Sequence, residues 1–126
     1  MKPQVQSRTG KNGRCIEACF SSILEIPESQ VPDFGTDDVF LRNVQQFLKK
    51  FGLYYVQVPL NTPGLKQAFR SGGKIYHTIE GKSPRGGLHA IVGMNGKPEW
   101  DPHPQDGTGR GLVRVDCFGL LCVRGE

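Results

Sequence analysis

No stretch of this chain stays apolar for the ~18 residues that a membrane-crossing helix needs, so no membrane partner is expected. Met1-Lys2-Pro3-Gln4 also opens without the apolar core of a secretory signal, which makes the cytoplasm the expected location. Thiols stay reduced there. The four cysteines are therefore not read as two disulfides, and function or packing must explain them. Long lysine or arginine runs and the aromatic motifs of a nucleic-acid module are missing as well. The net charge of +4 is a mild excess, with Lys2, Arg8, Lys11 and Arg14 all preceding the first acid, Glu17, and nucleic acid is not an expected partner. No internal repeat is present. What remains is a chain of 126 residues, 37% hydrophobic and 22% charged, with 17 glycines and 9 prolines. That describes one turn-rich globular domain over residues 1–126, long enough to bury a core and too short for two.

The spacing of apolar residues changes along the chain. A polar lead-in closes on the turn signal Lys11-Asn12-Gly13. Ile16, Cys19, Phe20, Ile23 and Leu24 then recur at helical intervals, predicting a helix from Cys15 to Ile26 that Pro27 ends. Thr36, Asp37 and Asp38 open a second helix with Phe40, Val44, Phe47, Leu48 and Phe51 on one face, and Lys49, Lys50 and Gly52 close it. From Leu53 the period becomes that of strands, expected at Leu53 to Val58, Lys74 to Ile79, Leu88 to Gly93, Lys97 to Asp101, Leu112 to Cys117 and Leu120 to Val123. A short helix is expected within Asn61 to Arg70, and loops at Gly81 to Gly87 and Gln105 to Gly111. Two helices followed by an antiparallel sheet make an α+β fold.

Cys15 begins the first helix, where unpaired backbone N–H groups and the positive end of the dipole favour a thiolate, the form that attacks carbonyl carbon. His89 heads an apolar strand, and Asp101 follows a dozen residues later, across the hairpin signal Asn95-Gly96. Register decides whether the two meet. A two-residue turn puts Pro102 opposite His89 and turns Asp101 away, whereas a three-residue loop, Met94-Asn95-Gly96, pairs His89 with Asp101. The three-residue loop is the expectation. Asp101 then orients His89, His89 stabilises the Cys15 thiolate and protonates the leaving group, and Cys15 should react well below the ordinary thiol range. The Cys15 N–H is one oxyanion donor, and Gln6 is the candidate for a second, ahead of Gln4.

Asn12-Gly13-Arg14-Cys15-Ile16-Glu17-Ala18-Cys19, His89-Ala90-Ile91-Val92 and Asp101-Pro102 together resemble the papain-like cysteine peptidase superfamily, and within it small bacterial and phage proteins similar to the C39-like group. The resemblance implies a helix-borne cysteine packed on a small antiparallel sheet that carries the other two catalytic residues, Cys15, His89 and Asp101 being the set. It also implies a glutamine ahead of the cysteine. Thr9 stands at the usual distance, and Gln6 would serve across a longer loop, Gly10 to Gly13.

These readings compete with plainer ones. Cys19 and Cys117 read as core packing, His77 as a satisfied, half-buried histidine, and Trp100 as a packing residue that shields the His89–Asp101 pair. His103, in the rigid Asp101-Pro102-His103-Pro104 segment, is expected to be exposed at the substrate rim, or to take the place of His89 should the hairpin adopt the other register. Arg85 in Ser83-Pro84-Arg85-Gly86-Gly87 is expected at the rim too, where an ordinary tight turn is the rival reading. Cys15-x3-Cys19 and Cys117-x4-Cys122 have gaps in or near the range of a structural zinc site, but Cys19 falls inside a patterned helix. The leading expectation is a cofactor-free thiol hydrolase, whether peptidase, isopeptidase or amidase, acting on a peptide or protein. The alternatives are a non-catalytic module that keeps the fold and binds a partner protein through its basic lead-in, and a zinc-stabilised structural domain.

Overall fold

The change of period at Leu53 is where the sheet begins. The computed structural model describes residues 1–9, 13–104 and 110–125, and in it helix α1 (Cys15–Leu24) and helix α2 (Asp37–Lys49) lead, with one 3-10 turn, Glu28–Gln30, between them. Strands β1 (Leu53–Pro59), β2 (Tyr76–Lys82), β3 (Leu88–Met94), β4 (Lys97–Trp100) and β5 (Arg114–Val123) follow, with α3 (Leu65–Ser71) inserted after β1. All pairings are antiparallel, in the order β1-β5-β2-β3-β4, so the class is α+β. The turn signal at Lys11-Asn12 and most of the Gln105 to Gly111 loop lie outside the described residues.

Helical spacing in α1 and α2 produces the main core. Ile16, Cys19 and Phe20 from α1 and Val44, Phe47 and Leu48 from α2 are buried together with Tyr55, Ala90 and Val92 of the sheet. Phe20 meets Phe34 and Tyr55 edge-on, ring centroids 5.7 and 5.4 Å apart, a geometry that aromatic quadrupoles favour. α1 lies on β3 and α2 on β1. The opposite sheet face carries His77, Ile79, Ile91 and Phe118, and Phe69 of α3 stacks on His77 there at 5.0 Å.

Several boundaries differ from expectation for local reasons. α1 stops at Leu24 because Glu25 takes a left-handed conformation, φ 59°, and its N–H returns to Ser21 O. β2 starts later and runs through Gly81, which pairs with His89. β5 is one strand instead of two, because Gly119 leaves the room into which Tyr55 and Thr78 pack.

The hairpin differs most. Asn95 and Gly96 both have positive φ, 53° and 86°, and form a two-residue turn pairing Met94 with Lys97 and Gly93 with Pro98. The expected three-residue loop is absent. A β-bulge then restores parity: Val92 pairs with Trp100, leaving Glu99 as the extra residue beside Pro98, which has no N–H to give a ladder. Asp101, just beyond β4, thereby returns to the face of His89.

The lead-in is stitched between α1 and the end of β4. Lys2 N donates to Ser22 O at 2.9 Å, Trp100 Nε1 to Gln4 O at 2.9 Å and Gln6 N to Pro102 O at 2.9 Å. No helix among the described residues is long and apolar enough to cross a membrane.

Candidate active site

Among the described residues, three donors hold the Asp101 carboxylate. His89 Nε2 lies 2.8 Å from Oδ1, the His103 N–H donates to the same oxygen at 2.9 Å, and the Gly111 N–H donates to Oδ2 at 2.5 Å. Burial alone would raise this carboxyl, but the bonds from His89, Gly111 and His103 outweigh it and bring it down to about 2. An ionised Asp101 can only accept, so Nε2 carries the proton in the His89–Asp101 bond, and in the neutral ring Nδ1 keeps its lone pair. The imidazole is buried, 3% exposed, and the bond to Asp101 sets the tautomer that leaves Nδ1 to accept a proton.

The depressed carboxyl has a consequence for stability. Its contribution is complete above the unfolded-state value of roughly 4 and disappears as pH falls through that value towards about 2. Asp101→Asn is therefore expected to lower the melting temperature most at pH 5–7, with the gap to the parent closing near pH 2. A gap of constant size across thermal melts in that range would rule out the ionised pair.

Cys15 is the first residue of α1 and is partly buried. Its sulfur lies against β3, where the backbone amides of Ala90 and Ile16 favour the thiolate. Burial is the larger effect: with Glu17 and Glu80 adding repulsion, the thiol is pushed up to about 11. No hydrogen bond joins the sulfur to the His89 ring, although Ala90 is the next residue of β3. The expectation of a preformed thiolate–imidazolium pair is thus corrected. At rest the thiol is neutral and faces amides, because desolvation costs more than one helix end returns.

Gln6 is buried, and its backbone bond to Pro102 sets it beside the Asp101 turn. Its Nε2 donates to Arg8 O at 2.7 Å, and the same carbonyl accepts the Arg14 N–H at 3.0 Å. One acceptor therefore ties the Gln6 amide to the residue before Cys15, while the Gly10 to Gly13 loop lies, Gly13 apart, outside the described residues.

His103 is buried, not exposed. Proline on both sides folds it inward, its N–H on Asp101 and its ring edge-on to His89 at 6.2 Å. Arg85 is exposed in the turn between β2 and β3, whose Ser83 N–H donates to Gly87 O at 2.8 Å. His77 is a satisfied core histidine, more completely buried than expected: Gly96 N–H donates to Nε2 at 2.9 Å, Nδ1 bonds Thr78 O at 2.9 Å, and burial lowers its pKa. Trp100 packs against the main core.

Sequence reasoning missed two groups. Arg14, counted with an exposed basic lead-in, is buried and ion-paired with Glu28 and Asp33, and its Nη2 donates to Val31 O at 2.6 Å, so it clamps the segment after α1 against the start of the helix. The second group surrounds Glu80, which accepts from Tyr55 Oη, from Thr78 Oγ1 at 3.0 Å and from Gln57 Nε2 at 3.0 Å. Burial and Glu80 push the Tyr55 hydroxyl far above its ordinary range. The signal was the polar Thr78-x-Glu80 alternation in a strand facing the helices.

All four cysteines are free thiols, with Cys19 fully buried and Cys117 pushed up to about 11 by burial and Glu80. Among the described residues, no group of three or more His, Cys, Asp or Glu side chains is arranged to hold a metal ion. No family model, curated protein or solved structure matches this chain.

Proposed function

We propose that the protein is a small papain-like thiol hydrolase of peptide or isopeptide bonds, with Cys15 as nucleophile, His89 as general base and acid, and Asp101 as the group that orients His89. The supporting observation is the His89 Nε2–Asp101 bond, which leaves Nδ1 basic on the residue next to the amide that Cys15 touches. Because the resting thiol is neutral, proton transfer belongs to the attack itself. The sulfur turns from the Ala90 amide toward Nδ1, gives up its proton and bonds to the carbonyl carbon. The Cys15 N–H and the Gln6 amide are the donors for the oxyanion. The imidazolium, held by Asp101, returns its proton to the leaving amine as the C–N bond breaks. Water, deprotonated by His89, then releases the acid from the thioester and restores the thiol.

A non-catalytic binding protein with the same fold is the second reading, and the raised Cys15 thiol favours it. Two site-resolved mass-spectrometric rates separate them. Iodoacetamide should label Cys15 ever faster up to about pH 10 without an earlier plateau, as a raised thiol requires. Acyl transfer from an activated peptidyl ester should nevertheless modify Cys15 at neutral pH. Failure of that transfer in the parent protein would leave the binding role as the account.

A further inference from the structure

The sheet face opposite α1 and α2 carries a groove of ≈ 1200 Å³, and its apolar surface includes Leu65, Phe69, Ile79, Ile91 and Phe118. Its position relates it to the candidate site. Ile91 is two residues from His89 on β3 and so shares its face, and Gly111, whose N–H holds Asp101, lines the groove as well. The groove exceeds the ~300–1,000 Å³ usual for a single small ligand, which suits a segment of chain.

Charge narrows the occupant. Lys66 and Arg70 stand one turn apart on α3 at one wall, and Lys97 stands on β4 at another, against one acid, Glu99, among the described residues. All three cations are exposed, with aliphatic stems that extend the apolar lining. A fatty acid offers one carboxylate at one end. Cations on two separated walls call for carboxylates spaced along a chain whose other side chains fill the apolar floor.

We propose that this groove binds an extended peptide segment that alternates apolar and acidic residues, presenting the neighbouring bond of the same substrate to Cys15. The presentation rests on the hydrolase reading; the binding does not. Apolar burial supplies most of the affinity, and Lys66, Arg70 and Lys97 select for acid over base.

Binding is therefore measured on Cys15→Ala, where chemistry plays no part, by fluorescence anisotropy of two short labelled peptides, one alternating leucine with glutamate and one alternating leucine with lysine. The glutamate peptide should bind at least about fivefold tighter, an advantage that falls with salt. Lys66→Glu combined with Arg70→Glu, both on the exposed face of α3, should abolish or invert that preference while circular dichroism stays unchanged. Equal binding of the two peptides, or a preference that survives the charge reversal, overturns the proposal. So does saturable binding of dodecanoate with none of the glutamate peptide, which would make the groove a lipid site. In the parent protein, the glutamate peptide should also slow acylation of Cys15 by the activated ester. Undiminished acylation with the peptide bound would separate the groove from the reactive centre and overturn the presentation step. A parent protein that binds the peptide but is never acylated would instead overturn the hydrolase reading, and with it presentation, leaving the groove's selectivity intact.

Discussion

His89→Ala is expected to slow acylation of Cys15 by an activated peptidyl ester about 10²–10⁴-fold at neutral pH, the range that a positioned general base supplies. The size follows from the state of the thiol. With Cys15 pushed up to about 11 by burial, very little thiolate is present to attack unaided, so the imidazole must remove the proton during the step. Asp101 keeps its bonds from the His103 and Gly111 amides in the variant, which preserves the turn and leaves the loss attributable to the ring. Raising the pH should recover part of the rate in His89→Ala, because hydroxide then does what Nδ1 did. Single-turnover mass spectrometry gives the rates, and near-ultraviolet circular dichroism verifies the fold. Equal rates in variant and parent would remove His89 from the chemistry.

Gly81→Ala should produce the largest loss of stability. A methyl group there would overlap the carbonyl oxygen of Arg114 and stand 2.8 Å from its carbonyl carbon and 3.0 Å from Val115 Cα, all of them backbone atoms that cannot rotate away. The glycine lies where the register of β2 against β5 shifts, and on its other side it pairs with His89. The expected cost is roughly 3 kcal/mol or more, at the upper end for overpacked sites, together with a displaced His89. Gly87→Ala, at the foot of the same hairpin, is the control: a methyl there meets nothing within 4 Å and no positive φ is required, so urea unfolding should place it within about 0.5 kcal/mol of the parent. Similar midpoints for the two variants would contradict the close β2–β5 approach.

What could be read from the chain differed by element. Apolar periodicity located α1, α2 and the start of β1 because each buries one continuous face, and that burial leaves a pattern in the residue order. His89 and Asp101 were legible as partners. The way they meet was not, since Asn95-Gly96 specifies a two-residue turn by its own preference and the correction comes from a bulge at Glu99, inside the second of the two strands. His103 looked exposed because proline-flanked histidines belong to loops, whereas in the fold its N–H donates to the Asp101 carboxylate and its ring packs edge-on to His89. The thiol was the largest miss. A helix N-terminus is visible in sequence, whereas the desolvation at the α1–β3 contact and the distant carboxylate of Glu80 exist only once the sheet is assembled. Arg14 shows the same limit, its partners Glu28 and Asp33 being brought back by the turn after α1.

The reactive role of one sulfur is tested most directly by mapping the acyl group after brief exposure to the activated ester at neutral pH. One acyl equivalent on Cys15, absent from Cys15→Ala and from acid-unfolded protein, is the expected result. An adduct spread over Cys15, Cys117 and Cys122 alike, or no adduct at all on a folded chain, would contradict a thiol hydrolase.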